Sequence, residues 1–214
     1  MSDLRDLKLR DFLGALAARQ PTPGGGAAAA LAGAAGAALA GMCAAYTSGE
    51  KFKAAEPRAR AALERLEPLR ERLAELIERD ARAYAAWTEA RKLPRGGEAE
   101  KRARQAALEA AREEAIAVPE TVLAAALEGL EQASELAGWC NPSLLADVPV
   151  AARLLEAAAS GACTQALGNL RPWAPGSPEA ARAAEARKRR ARCAELAARI
   201  EAAVMKSWGL PDDT

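Results

Sequence analysis

Asp80 is the residue of this chain best placed to do chemistry. At about 100° per residue, Leu69, Leu73, Leu76, Ile77, Tyr84 and Trp87 all project within about 60° of it on one helix. A carboxylate centred on an apolar stripe is costly unless it is paired or hydrogen-bonded. Burial also raises its pKa, which suits a general acid or base. An aspartate that caps a neighbouring helix, or pairs with a buried arginine, fits the same pattern. Asp147 is the second candidate, being the only charged residue between Glu135 and Arg153. Just ahead of Val148-Pro149 it reads as a helix N-cap, or as a site residue beside the turn at Asn141-Pro142. The 214 residues contain no histidine. Ser-His-Asp and Cys-His arrangements and His-ligated metals are therefore excluded, and proton transfer falls to Asp, Glu, Lys, Tyr or Cys. Cys43, Cys140, Cys163 and Cys193 lie far apart without a C-x-x-C pair, so neither a disulfide framework nor a metal site is expected.

A second feature is Pro21-Thr22-Pro23-Gly24-Gly25-Gly26, which leads into a stretch with no charge until Glu50. The stretch is almost all Ala and Gly, and alanine makes helix its cheapest state. A helix starting near Gly26 presents unpaired N–H groups and a positive dipole end to the glycine loop. Such an end accepts an anion or a carbonyl oxygen, and a plain tight turn into a buried helix fits equally. The Gly-Lys-Ser/Thr ending of a phosphate loop is missing. Gly161, Gln165, Gly168 and Asn169 recur at i, i+4, i+7 and i+8 and make one small-plus-amide face. Amides on an inward face read a polar ring edge or bond to neighbouring backbone.

The elements that must position these residues have helical period throughout. Helices are predicted over 4–19, with Leu9, Phe12, Leu13 and Leu16 on one face, then from the glycine loop to about Thr47. Further helices are predicted over 58–92, over 98–136 with a bend at Pro119, from the 138–142 turn to about Asn169, and over 178–208 with Ser177 as N-cap. Residues 209–214 are expected to fray. The expected fold is a single all-α domain, an up-and-down bundle of long helices. Half the residues are apolar but aromatics are only 4%, so side chains bury little area each. Association into a homodimer or larger homo-oligomer is expected to supply the rest. Net charge is +1, which encodes no general attraction to nucleic acid or anionic lipid. The run at 188–192 lies among Glu179, Glu185, Glu195 and Glu201 and reads as a solvated face. Residues 27–46 are long enough to cross a bilayer, but Ala and Gly are weakly apolar, and no membrane span is expected. The opening residues lack an apolar signal core, so a cytoplasmic location is the expectation.

Taken in order, the glycine motif with its Ala-rich helix, Asp80-Ala-Arg-Ala, Lys92-Leu-Pro, Val118-Pro119 and Asn141…Asp147-Val-Pro-Val-Ala-Ala resemble a known family. It is the cyclodeaminase domain of formimidoyltransferase-cyclodeaminase, together with stand-alone bacterial methenyltetrahydrofolate cyclohydrolases. The resemblance implies an all-α protomer that pairs tightly, with folate in a groove lined by the glycine loop. It implies chemistry at the N5/N10 bridge of tetrahydrofolate. Either 5,10-methenyltetrahydrofolate is hydrolysed to 10-formyltetrahydrofolate, or 5-formiminotetrahydrofolate cyclises with loss of ammonia. No metal or cofactor beyond the folate substrate is implied. Asp147 and Asp80 are the implied proton handlers or cation stabilisers. Pro23, Gly24, Gly25, Gly26, Lys51, Asn141, Gln165 and Asn169 are the implied binding residues, and Lys92 also suits a helix C-terminus. The chain departs from the family pattern at Cys140, Ser143, Ala146 and Gln165, where Gly, a second Asn or another small residue, Ser and Asn are usual, and Arg171 replaces a common Lys. The residues also leave open a folate binder without turnover, and a helical scaffold without a small-molecule site.

Overall fold

The computed structural model describes residues 3–209. Six α-helices follow in order: α1 (Leu9–Ala17), α2 (Gly25–Ala45), α3 (Glu56–Lys92), α4 (Glu98–Leu136), α5 (Asp147–Leu170) and α6 (Pro178–Ser207). No strand occurs among the described residues. Helices α2, α3, α4 and α5 close a four-helix ring, and α6 packs outside it on α4 and α5. The fold class read from helical period is therefore observed. Residues 210–214, most of the tail expected to fray, lie outside the described residues.

The alanine-rich α2 is the middle of this packing. It is apolar and long enough to cross a bilayer, yet more than half of it is buried against α3, α4 and α5. Its small residues let backbones approach. A Cβ added at Gly36 would lie 2.8 Å from Leu155 Cγ and 2.9 Å from the Ala151 carbonyl of α5. The bulk that α2 lacks comes from its neighbours: Leu66, Leu73 and Leu76 of α3, Leu123 and Leu130 of α4 and Leu155 of α5 are fully buried. Thr47, the buried polar residue at the end of α2, donates from Oγ1 to the Cys43 carbonyl (2.7 Å) and accepts from the Asn141 backbone N–H (2.9 Å). That pair ties the end of α2 to the α4–α5 turn.

One local expectation differs from the structure. The first helix is shorter, because Leu4–Asp6 form a 3₁₀ turn and Leu7 is extended. The Asp3 carboxylate caps that turn, and the Leu4 N–H donates to Glu78 of α3 (2.9 Å), so the segment is held to α3 rather than in a helix. Of the four residues expected on its apolar face, Phe12 is buried, whereas Leu9 and Leu13 are exposed. Pro119 lies within an unbroken α4. A proline leaves the carbonyl four residues earlier without its helical donor. Here that carbonyl, Ala115 O, accepts from Asn169 Nδ2 of α5 at 2.6 Å.

Two outcomes test this packing. Gly36→Ala should lower stability by about 1–3 kcal/mol through overpacking. Gly41→Ala, whose Cβ meets nothing within 4 Å, should gain up to about 1 kcal/mol from helix propensity; denaturant melts compare the two. All four cysteines are buried, and burial pushes the Cys43 and Cys193 thiols up to about 12. In a thiol-reagent titration the native protein should stay unreactive, with all four reacting once it is unfolded.

Candidate functional site

The glycine loop and Asp80 meet at the start of α2. Gly24, the N-cap residue of α2, offers no side chain to the open N–H groups. Asp80 supplies the missing acceptor from α3: the Ala27 N–H donates to Asp80 Oδ2 at 3.0 Å. This position is the third of the helix, where an N-cap oxygen normally binds. The positive end of the α2 dipole favours the charged carboxylate, but desolvation is the larger influence and raises the Asp80 pKa above its ordinary value, with the Ala27 hydrogen bond opposing it. The capping role weighed from the sequence is thus observed, and among the described residues it leaves Asp80 Oδ1 without a protein donor.

Two glycines of the motif are required by close approach. A Cβ at Gly26 would fall 1.9 Å from Asp80 Oδ1, inside the carboxylate itself. One at Gly25 would fall 2.6 Å from Gln165 Nε2 of α5. Any side chain at either position would displace a polar group from the end of α2.

Around these atoms opens a cleft of about 510 Å³, within the size range of small-molecule sites. The glycine loop lines one side, with Asp80, Tyr84 and Trp87 from α3 and Arg112 and Ala115 from α4. Gln165, Gly168, Asn169 and Arg171 close it from α5 and the residue after it. Asn169 is half committed: its amide nitrogen holds Ala115 O, and its Oδ1 remains an acceptor. Arg112 donates from Nη2 to the Leu170 carbonyl at 3.0 Å, at the C-terminal end of α5. Pro23 is buried behind the loop and does not line the cleft.

Asp147, Asn141 and Lys51 lie elsewhere in the protomer. Asp147 sits near Cys43 and Cys140, and Cys43 Sγ contacts the Leu144 carbonyl. Ala27 and Cys43 are separated along α2 by about 24 Å at 1.5 Å per residue. One protomer therefore keeps the two carboxylates at opposite ends of α2 and does not bring them into one cleft. Nor is Asp147 an N-cap. Ala146 holds that place in helical conformation, because the Pro142–Leu144 3₁₀ turn has already bent the chain into the helix, and no side-chain cap bond forms. Asn141 instead caps the 3₁₀ turn, accepting from the Ser143 N–H (3.0 Å) and donating to the Tyr46 carbonyl (3.3 Å). Lys51 Nζ lies over the Phe52 ring, 5.4 Å from its centroid.

Sequence reasoning did not name Tyr84, Trp87, Arg112 and Arg171 as site residues. The first two were within reach, since they follow Asp80 at i+4 and i+7. Arg112 gave no signal, because it stands in a charged stretch, Arg112-Glu113-Glu114, that looks like an ordinary solvated face.

The comparisons agree with this architecture. The family model for Formiminotransferase-cyclodeaminase matches residues 8–192. The chain is 37% identical over 169 residues to the mouse formimidoyltransferase-cyclodeaminase, covering 78% of this chain and 31% of the mouse protein, so it spans about a third of that relative. It is 35% identical over 144 residues to the methenyltetrahydrofolate cyclohydrolase of Methylorubrum extorquens, covering 67% and 69% of the two chains. The crystal structure of a formiminotetrahydrofolate cyclodeaminase from Thermotoga maritima superposes with a TM-score of 0.82 at 27% identity, over 96% of this chain and 99% of that one. A matched region that takes in the glycine loop, Asp80 and every helix lining the cleft shows that this chain belongs to the formiminotransferase-cyclodeaminase family.

Proposed function

We propose that the Asp80 cleft binds a reduced folate and acts on the one-carbon bridge between its N5 and N10. The reaction is hydrolysis of 5,10-methenyltetrahydrofolate to 10-formyltetrahydrofolate, or cyclisation of 5-formiminotetrahydrofolate with release of ammonia. The names of the relatives support this substrate class. The observation that carries the reading is the Asp80 carboxyl, held by the Ala27 N–H on one oxygen and cleared by Gly26 on the other.

Both reactions pass through a carbon bonded to two nitrogens and carrying positive charge. A carboxylate beside that carbon stabilises the charge. In the hydrolysis, water adds to the carbon and Asp80 takes its proton. The N5–C bond then breaks as the formyl C=O forms; the proton on Asp80 passes to N5, and the remaining hydroxyl proton is released to solvent. In the cyclisation, N10 adds to the formimino carbon, and Asp80 relays the N10 proton to the departing amine, which leaves as ammonia. A carboxyl whose pKa is raised toward the working pH serves both directions of transfer. Gln165 and the free Oδ1 of Asn169 are placed to meet the polar edge of the ring. The reading assigns no cofactor beyond the folate.

We take the working unit to be a pair of protomers in the cytoplasm. The solvent side of α2 carries Ala35, Ala38, Ala45 and Tyr46 exposed, with Ala28, Leu31, Leu39 and Met42 half-buried beside them, and no charge along its length. An uncharged face of that extent marks an association surface, and the occupant that fits it is a second copy. An antiparallel pairing about Ala35 sets the Asp147 end of each copy beside the Asp80 cleft of the other. Asp147 and Asn141 then complete the site across the pair, with Lys51 at its edge. Ala35→Glu should shift sedimentation from dimer to monomer and lower turnover with it; a parent protein that sediments as a monomer contradicts this assembly.

Asp80→Asn tests the chemistry. Asparagine still accepts from the Ala27 N–H but handles no proton. Loss of 5,10-methenyltetrahydrofolate absorbance and ammonia release from 5-formiminotetrahydrofolate should both be measured. The parent should accelerate one of them, and the variant should lose about 10²-fold or more. No acceleration of either by the parent, or full activity in the variant, overturns the reading; tight folate binding without turnover makes the protein a binder.

The same variant carries a pH signature. Asp80 has a higher pKa folded than unfolded, so the native state binds its proton more tightly, and stability from this group declines as pH rises through the folded pKa. Asp80→Asn should therefore melt above the parent at pH 8, with the difference shrinking toward pH 4.

A further inference from the structure

Among the residues lining the cleft, the charged side chains are Asp80, Arg112 and Arg171. Two cations stand against one acid, and the raised pKa of Asp80 makes the balance still more positive at low pH. A site built only for a cationic carbon would be the reverse. Arg112 is partly occupied: it holds the Leu170 carbonyl and lies 3.9 Å from Glu179. Arg171 is exposed, makes no ion pair among the described residues, and follows directly on the last residue of α5. The guanidinium fork suits bidentate contact with a carboxylate.

The charges are also sorted by wall. Asp80 is bonded to the start of α2, while Arg112 is bonded to the end of α5. The aromatic groups follow α3 outward from Asp80, and Trp87 lies about 10 Å along the helix from it. Tyr84 stays 48% exposed, with its ring available to the cleft. This arrangement suits an elongated ligand with three parts: a centre that meets an acid, a flat ring, and an anionic end.

We propose that Arg171, supported by Arg112, is a specificity-determining residue that binds the glutamate carboxylate of the folate, while Tyr84 and Trp87 stack on its ring system. The proposal rests on the folate reading and deepens it. Arg171 does not touch the reacting carbon, so it acts on binding and leaves the chemical step alone. The ligand is chosen by its anionic tail as well as by its pterin.

The test compares two stable probes, 5-formyltetrahydrofolate and the N-methylamide of 5-formyltetrahydropteroate (called the pteroate), which has neither the glutamate nor a free carboxylate. Calorimetric titration gives both affinities, and quenching of tryptophan fluorescence, assigned with Trp87→Phe, reports occupancy of the cleft. The parent should bind the glutamate-bearing probe at least about tenfold more tightly than the pteroate. Arg171→Glu should abolish that preference and leave the pteroate affinity unchanged, and Arg171→Lys should restore most of it. In turnover assays Arg171→Glu should raise KM about tenfold or more, with kcat within about threefold of the parent. Arg171 is exposed, so an unchanged melting temperature separates these effects from misfolding. Equal binding of both probes by the parent overturns the proposal and leaves the folate reading standing. So does an Arg171→Glu variant that keeps the preference or weakens both probes alike. Binding of neither probe overturns the folate reading and this proposal together.

Discussion

One hydrogen bond, from the Ala27 N–H to the Asp80 carboxyl, joins the fold of this protein to its site. Helix α2 begins in glycine and has no side-chain cap of its own. The acceptor it needs arrives from a different helix, fifty-three positions along the chain. That contact ties the start of α2 to the C-terminal half of α3, and it holds a carboxyl group partly out of water. The glycine motif is the other half of the same arrangement: without Gly26 there would be no room for Asp80 Oδ1. The cap of α2 is therefore also a residue of the cleft wall, and the glycine motif and the carboxyl constrain each other.

The rest of the bundle serves this end of α2. A helix of alanine and glycine lies close to its neighbours but buries little area per residue. Leucines from α3, α4 and α5 fill the space around it, and the Thr47 and Asn141 hydrogen bonds anchor its far end. Asn169 does double service. It replaces the hydrogen bond that Pro119 removes from α4, and in doing so it locks the C-terminal end of α5 beside the cleft. Exposed ion pairs such as Arg79 with Glu114 link α3 to α4 at the same level, but pairs of this kind contribute little each. The cleft thus takes its shape from backbone satisfaction and close packing more than from surface charge.

Helix period, with Gly and Pro as punctuation, made five of the six helices legible to within a few residues, and with them the fold class. The first helix was overread because Glu78, which accepts from the Leu4 N–H and holds the segment to α3, is remote in sequence and leaves no local mark. Asp80 was legible as a polar residue out of place on an apolar face, and of the roles weighed for it the helix cap is the one observed. Asp147 looked like a cap because residue type alone suggests one; the preceding 3₁₀ turn, which decides the matter, depends on contacts to Tyr46 and Thr47. Resemblance supplied Lys51, Asn141 and Asp147 beside Asp80 in a single set, but order along the chain says nothing about which end of a 21-residue helix each will occupy. Arg112 stayed hidden among surface charges until α5 closed over it.

The account stands on the Asp80 carboxyl being the group that faces the one-carbon bridge. A crystal structure of the protein with 5-formyltetrahydrofolate tests this most directly. The account predicts the N5–N10 side of the ligand within hydrogen-bond reach of Asp80 Oδ1, directly or through one water, with Oδ2 still accepting from Ala27. A ligand bound away from the start of α2, or with its N5–N10 side turned from Asp80, would contradict it.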